Sequence, residues 1–376
     1  MSKYIIKLTP TGRFFFGGDM TFSVGEQPDD KNKKKDFQKH NEKFSSYIIT
    51  SLKFPQQTSL LGMLRFLLLS NDNNIFCPIC KKIKDGKKEE AKQLIGEKSF
   101  TVNEKNHEEN SFGKIKRIGP CVLCKGNEYY YQAPLDYGWK IGPFEGVTAT
   151  FNGKSIEIPE MKDINNEKIS YSSKRGIHKC YLSSNGSPLD DVFMEDRRVG
   201  IRKGINGKTE EDAFYKQIGY RLKDDYCFAF DVEVDDTINL TQYKNQLVSI
   251  GADSSMFYIE IEKGSIDVCL PATYETSLKD SWEKVVLLSD TYLPDTSLEE
   301  FAISETKSFR FFRTTVDTEK YHIMHNWNNQ SERYRLYAAG SVFFVEKGNV
   351  EDFKKCISSK REFVQIGYNI IVNKKN

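Results

Sequence analysis

No stretch of this 376-residue chain is apolar for long enough to cross a membrane as a helix. The longest apolar run, Leu60 to Leu69, is broken by Arg65 and falls far short of the ~20 residues a spanning helix needs. The opening residues, Met1-Ser2-Lys3-Tyr4-Ile5-Ile6-Lys7-Leu8, carry no apolar signal-peptide core and read as a strand, so a soluble, cytoplasmic protein is expected. No repeat of fixed period is present. Histidine is scarce, at five residues. His322 and His325 could be imagined as an acid–base pair, but no carboxylate or lysine is spaced to support them, and an incidental loop is the simpler reading. Disorder is excluded as well, because 26 Phe and 19 Tyr supply large apolar surfaces despite the polar average.

What charge there is, is unevenly placed. The chain as a whole carries +2, yet residues 209–300 hold 7 Lys/Arg against 20 Asp/Glu, a balance of −13, and the remainder holds 48 against 33, or +15. A positive excess suits a polyanion, since neutralising phosphates releases counterions. An acidic block of that size is repelled by nucleic acid and faces solvent or protein. A bridge between nucleic acid and another subunit fits this bipolarity, and two ordinary solvated surfaces fit it equally well.

Length suggests two domains. The first, 1–225, opens with a strand at Tyr4–Leu8 and a polar excursion over 10–46. Within the excursion Phe14–Phe16 and Met20–Val24 read as a small hairpin, followed by the lysine-rich run Lys31–Lys43. A helix is predicted after Pro55, with Thr58 or Ser59 as N-cap, because Leu60, Met63, Leu64, Leu67 and Leu68 fall on one stripe. Gly62 in that helix would permit close backbone approach. The second domain, 226–376, begins where Phe228, Phe230, Val232 and Val234 alternate with Ala229, Asp231 and Glu233, a half-buried strand. A helix over Thr241–Val248 follows. Strands are then predicted at Met256–Ile261, Lys284–Leu288, Ser308–Arg313 and Ser341–Glu346, with a helix at Val350–Ile357 and a last strand at Phe363–Val372. Strand–helix–strand–strand–helix–strand is the ferredoxin-like order, and the first domain fits it with two insertions. The fold class is α+β.

Cysteine carries the sharpest motif. Cys77-Pro78-Ile79-Cys80 and Cys121-Val122-Leu123-Cys124 are two CxxC knuckles 40 residues apart. Four thiolates so arranged satisfy a closed, structural tetrahedral zinc, which would tie off the polar insertion 71–127. A thioredoxin-like pair would not explain two copies. Cys180, Cys227, Cys269 and Cys356 are scattered, and Cys227, in a strand, reads as core. Basic residues cluster around Arg13 and Lys31–Lys43, over Arg197-Arg198-Val199-Gly200-Ile201-Arg202-Lys203, and in the tail from Lys354. Phe14–Phe16 and then Phe214 and Tyr215 accompany the first two groups. Aromatics beside cations hold single-stranded RNA; Phe15 and Phe16 read instead as core.

Phe54-Pro55-Gln56-Gln57-Thr58-Ser59-Leu60-Leu61-Gly62-Met63-Leu64-Arg65 resembles the helix start of RAMP proteins from CRISPR effectors. Gly119-Pro120, Ala133-Pro134-Leu135-Asp136, Asp196-Arg197-Arg198-Val199-Gly200-Ile201 with Lys208–Tyr215, and Ala339-Gly340-Ser341-Val342-Phe343-Phe344 are similar, in order, to the signature of one subgroup, the third subunit of the type III-B (Cmr) complex. Three features depart from the pattern. The C-terminal glycine loop is reduced to Gln365-Ile366-Gly367-Tyr368, Val248–Ala252 lacks a double glycine, and the cysteine knuckles lie outside the signature.

The resemblance implies two ferredoxin-like (RRM-like) modules, and the CxxC pairs add a zinc-knuckle insertion to the first. It implies a non-catalytic, RNA-binding subunit that holds the repeat-derived 5′ handle of the CRISPR RNA. Its partners would be the large polymerase-like (cyclase-like) subunit and the backbone RAMP subunits, in antiviral defence. Candidate RNA contacts are Arg13, Lys53, Arg65, Arg197, Arg198, Arg202 and Lys203; Arg65, on a helix, either meets RNA or pairs internally. The zinc candidates are Cys77, Cys80, Cys121 and Cys124. A metal-independent ribonuclease that trims CRISPR RNA and a pure protein scaffold are the alternatives.

Overall fold

Tyr4, Ile6 and Leu8 are buried on one side of Ser2–Pro10 (β1), and that strand lies inside a nine-stranded sheet. The computed structural model describes residues 1–18, 20–23, 46–97, 100, 102, 111–137, 147–158, 180–203, 209–251, 255–274, 282–293, 301–309 and 333–374. Along the chain, β1 is followed by Met20–Ser23 (β2), Ser46–Thr50 (β3) and the helix Gln57–Ser70 (α1). A small hairpin, Phe76–Cys77 (β4) and Lys82–Ile83 (β5), and the helix Lys88–Ile95 (α2) come next. The strands Ile115–Ile118 (β6), Val122–Lys125 (β7) and Glu128–Gln132 (β8) return to the sheet, then come the pair Val147–Phe151 (β9) and Lys154–Ile158 (β10), and Tyr181–Ser183 (β11) and Pro188–Leu189 (β12). The long hairpin Phe193–Lys203 (β13) and Thr209–Leu222 (β14) leads into Tyr226–Val234 (β15), Gln246–Ile250 (β16) and Ser255–Lys263 (β17).

The large sheet runs β12-β11-β8-β7-β15-β1-β17-β16, with β6 also on β15, and all its pairs are antiparallel. Its inner face packs on α1. Leu60, Leu61, Met63, Leu64, Leu67, Leu68 and Leu69 share one core with Tyr4, Ile6, Leu8, Phe228, Phe230, Phe257 and Ile259. Each such side chain contributes about 1.5–3 kcal/mol on full burial. The opposite face carries Val122, Tyr131, Ala133, Leu182 and Ala229 against the C-terminal module.

That module contains Cys269–Leu270 (β18), Trp282–Val286 (β19), Phe301–Ile303 (β20), Thr306–Phe309 (β21), Tyr334–Tyr337 (β22), Val342–Glu346 (β23), the helices Val350–Ser358 (α3) and Arg361–Gln365 (α4), and Asn373–Lys374 (β24). Phe353 and Ile357 of α3 close a third core with Val285, Leu287, Phe343 and Val345.

The class is α+β and mostly sheet, but several expectations change. The strand at 226–234 forms as predicted, yet it pairs with β1 at the centre of the first sheet, so the boundary expected at 225/226 does not separate two sheets. Alternation reveals a strand and not its partner. Both neighbours of β1 are antiparallel, as they are in a ferredoxin-like split βαβ, whose two parallel strands are separated by a third. Thr241–Val248 is not a helix: Asn239 accepts from the Thr241 backbone N–H and caps a short 3-10 turn, Leu240–Tyr243, and β16 follows. Phe363–Val372 is mostly not a strand, because α4 ends where Gly367 and Asn369 adopt positive φ of 89° and 55°. Helix α1 starts at Gln57 with no side-chain cap, and nothing packs within 4 Å of where a Gly62 Cβ would lie. Phe14–Phe16 make a single bridge, Phe14 to Tyr220, while β2 pairs with β3. The run Lys31–Lys43 lies outside the described residues. Among the described residues no helix is long and apolar enough to cross a membrane.

Candidate nucleic-acid interface

A second sheet, ordered β13-β14-β3-β2, carries most of the basic candidates. Its long hairpin is anchored in the core at one end. There Phe193 and Tyr220 enter a ring cluster with Phe14, Phe54, Tyr181 and Phe228, and Phe14 exchanges both backbone hydrogen bonds with Tyr220, at 2.8 and 3.1 Å. Phe14, Phe15 and Phe16 are all buried, so they are core and offer no stacking surface. Toward the other end, Val199 is 65% exposed and Tyr215 43%.

Because side chains alternate along strands and directly opposed residues share a face, the register sorts the hairpin. Met194, Asp196, Arg198 and Gly200 lie with Arg221, Gly219, Gln217 and Tyr215 on one face; Glu195, Arg197 and Val199 lie with Tyr220, Ile218 and Lys216 on the other.

On the first face three guanidinium groups surround one carboxylate. Arg221 Nε donates to Asp196 Oδ2 at 2.9 Å, Arg198 Nε lies 3.5 Å from Asp196 Oδ1, and Arg13 Nε lies 3.4 Å from the same oxygen. Arg13 also donates to Gln217 Oε1 at 2.7 Å. Its course over the sheet requires glycine at 219, where a Cβ would sit 2.6 Å from Arg13 Nε and 2.8 Å from the Phe14 carbonyl. Against the cost of burial, Arg221 first, then Arg198 and Arg13, hold the Asp196 carboxyl below its usual range. Two glycines therefore shape this face, since the Tyr215 ring lies directly over Gly200, where any Cβ would collide with it. One carboxylate against three arginines leaves a positive surface beside an exposed ring, a chemistry suited to phosphates and stacked bases.

Of the predicted RNA contacts, Arg13, Arg197 and Arg198 are brought to this hairpin, and Lys53 lies beside it with Nζ 5.4 Å from the Phe193 ring centre. Arg197 points to the other face and pairs with Glu195 at 2.7 Å. Arg202 and Lys203 lie at the far end of β13, with side chains outside the described set. Arg65 is elsewhere: it is buried on α1, stacks 5.2 Å from the Phe112 ring and reaches the Ser111 carbonyl, so it pairs internally. Arg221 was missed; its only signal was its place at the even spacing of Gln217 and Gly219 along β14. His322 and His325 lie outside the described residues.

The cysteines are not gathered into the expected tetrahedral centre. Among the described residues no group of three or more His, Cys, Asp or Glu could hold a metal ion. Cys77 and Cys80 are joined across the turn between β4 and β5, with the Cys80 N–H 3.3 Å from Cys77 Sγ. Cys124 instead opposes Cys227 across β7 and β15. The hydrogen bond from Cys227 is the largest influence on Cys124 and holds its thiol pKa below the ordinary value. A four-thiolate zinc does not fit this arrangement.

The other signature residues join the two modules. Asp136 accepts from Lys284 and Tyr274, Leu135 N–H donates to the Gly340 carbonyl at 2.8 Å, and a Cβ on Gly340 would press on the Ala133 carbonyl. Gln57 donates to the Gly119 carbonyl at 2.9 Å, with Gly367 packed against both.

Chains in several solved structures are similar to this one. One, from a type III-B Cmr-beta complex bound to cognate target RNA, is 15% identical, with 99% of this chain and 96% of that chain covered and a TM-score of 0.47. Another, from the same kind of complex with AMPPnP, is 14% identical, with 98% and 95% covered and a TM-score of 0.46. A chain of a Csm1-Csm4 cassette in complex with pppApA is 10% identical, with 91% and 87% covered and a TM-score of 0.34. No curated protein matches. The model of the family described as CRISPR-associated protein (Cas_Cmr3) matches residues 33–373, and with nearly the whole chain inside that match, the chain belongs to this family of Cmr effector subunits.

Proposed function

We propose that this chain is a non-catalytic, RNA-binding subunit of a type III-B CRISPR effector, that it holds the repeat-derived 5′ handle of the CRISPR RNA on the β13–β14 hairpin, and that it bridges the large polymerase-like subunit to the backbone subunits. The observation that carries this reading is the positive face made by Arg13, Arg198 and Arg221 around Asp196, next to the exposed ring of Tyr215. Phosphates would take charge-assisted hydrogen bonds from Arg198 and Arg221, and an unstacked base would lie on Tyr215. Each stacked base contributes about 1–3 kcal/mol. Family membership supports the assembly role, and the acidic remainder of the 209–300 block beyond β14 supplies surface suited to protein rather than RNA.

The test is the salt dependence of handle-RNA binding by the assembled complex. Replacing Arg198 and Arg221 with Ala should lower the slope of log K against log salt by about 0.7 for each phosphate no longer neutralised. An unchanged slope with unchanged affinity would reject the hairpin as the RNA site.

A further inference from the structure

Cys124 and Cys227 are Cα partners across the antiparallel pair β7–β15, so their side chains lie on one face of the sheet, in the same core. Directly opposed residues in such a pair have Cα atoms about 4.5–5.5 Å apart, inside the range of about 4.4–6.8 Å that a disulfide spans. Little movement is therefore needed to join them. Cys124 is fully buried, donates to the Gly126 carbonyl at 3.2 Å and is held in the core that joins the two modules. Cys227 is half-buried. Lys7 Nζ donates to the same Gly126 carbonyl at 3.3 Å and pairs with Glu262 at 3.1 Å, so a cation sits beside the sulfurs. This arrangement explains why Cys124 does not join Cys77 and Cys80: its neighbour is set by the sheet register.

We propose that Cys124 and Cys227 form a redox-responsive dithiol that takes a low-molecular-weight disulfide as its oxidant and closes into a cross-strand disulfide joining β7 to β15. One protein sulfur, as thiolate, attacks a sulfur of the small disulfide, forming a mixed disulfide and expelling one small thiolate. The second protein sulfur attacks the mixed disulfide at the protein-borne sulfur and expels the other. The two protein thiols lose two electrons and two protons, the small disulfide gains both, and two small thiols leave. The new bond staples the β7–β8 hairpin, whose outgoing segment carries Asp136 to Lys284.

The experiment uses the full chain, first reduced and then exposed to oxidised glutathione, with the remaining thiols alkylated and the peptides mapped by mass spectrometry. The expected product is a peptide holding Cys124 linked to the peptide holding Cys227, lighter by two hydrogens. The link should persist in Cys121→Ser and vanish in Cys227→Ser. The proposal is overturned if Cys124 and Cys227 stay alkylatable under conditions that close Cys77 to Cys80. It is equally overturned if the purified chain holds one zinc that Cys80→Ser and Cys124→Ser each release, since a shared four-cysteine centre would then occupy Cys124.

Discussion

Lys284 Nζ lies 2.7 Å from Asp136 Oδ2, with side chains only 3% and 6% exposed, and this ion pair crosses the seam between the two modules. Tyr274 donates to the other carboxylate oxygen at 2.6 Å, and the Lys284 ammonium stands 5.1 Å from the Tyr274 ring centre. Desolvation first, then the Asp136 charge, pushes the Tyr274 hydroxyl well above its ordinary pKa, so it stays a donor. The seam is thus held by a charge pair whose desolvation is offset only while the triad is complete.

Asp136→Ala leaves a buried ammonium without its carboxylate, and a loss of about 3–5 kcal/mol is expected in urea unfolding. The double variant Asp136→Leu with Lys284→Met should recover most of that loss. A double variant as unstable as the single one would show that the pair is not where the seam draws its stability.

Asn369 makes three hydrogen bonds from a buried position. Its Nδ2 donates to the carbonyls of Tyr292 and Ile357 at 3.0 and 2.9 Å, and its Oδ1 accepts from the Tyr292 N–H at 2.8 Å. Asn369→Ala strands three backbone groups and places alanine at a φ of 55°. At about 1–3 kcal/mol per unsatisfied group, the C-terminal module should melt measurably earlier by calorimetry. An unchanged melting temperature would remove Asn369 from the account.

Gly200→Val should displace the Tyr215 ring, and Gly219→Ala should push Arg13 off the sheet. Both are expected to weaken handle-RNA binding, the first by about tenfold if one stacked base is lost. Circular dichroism separates loss of the ring platform from loss of the hairpin. Full RNA affinity in both variants would mean that this face does not meet RNA.

Two carboxylates set the acid limit of these contacts. Hydrogen bonds from Thr237, followed by Lys114, lower Asp235 to about 2, and the three arginines lower Asp196. A depressed folded-state pKa contributes stability above the unfolded value, about 3.9, and that stability is lost as pH falls through the folded value. Carboxyl NMR signals of Asp235 should therefore move near pH 2, and those of Asp196 below the usual aspartate range. An Asp235 that titrates near pH 4 would contradict the Thr237 and Lys114 contacts.

Much of the local structure was legible. The Leu60–Leu68 stripe forms α1, and the alternations at Tyr4–Leu8, Phe228–Val234 and Met256–Ile261 form β1, β15 and β17. Partnership was not legible, because alternation is the same whichever strand lies alongside; hence β15 beside β1. Gln57, Gly119, Ala133–Asp136 and Gly340 were read as family signature, and their packing shows the physical reason for them, close backbone approach and a buried ion pair at the seam. The site was half legible. Arg13 and Arg198 stand out as basic residues, but Arg221 and the glycines beneath Arg13 and Tyr215 acquire meaning only once β13 and β14 are in register, which also turns Arg197 to the other face. The CxxC spacing brings to mind four thiolates together, but spacing says nothing of the sheet register that sets Cys124 opposite Cys227.

The most direct test of the central claim is photo-crosslinking of CRISPR RNA carrying 4-thiouridine in its 5′ handle within the assembled effector, followed by peptide mapping. Crosslinks within residues 193–222, Tyr215 among them, are predicted. Handle crosslinks that fall only on other subunits, or on this chain only outside the hairpin, would contradict the account.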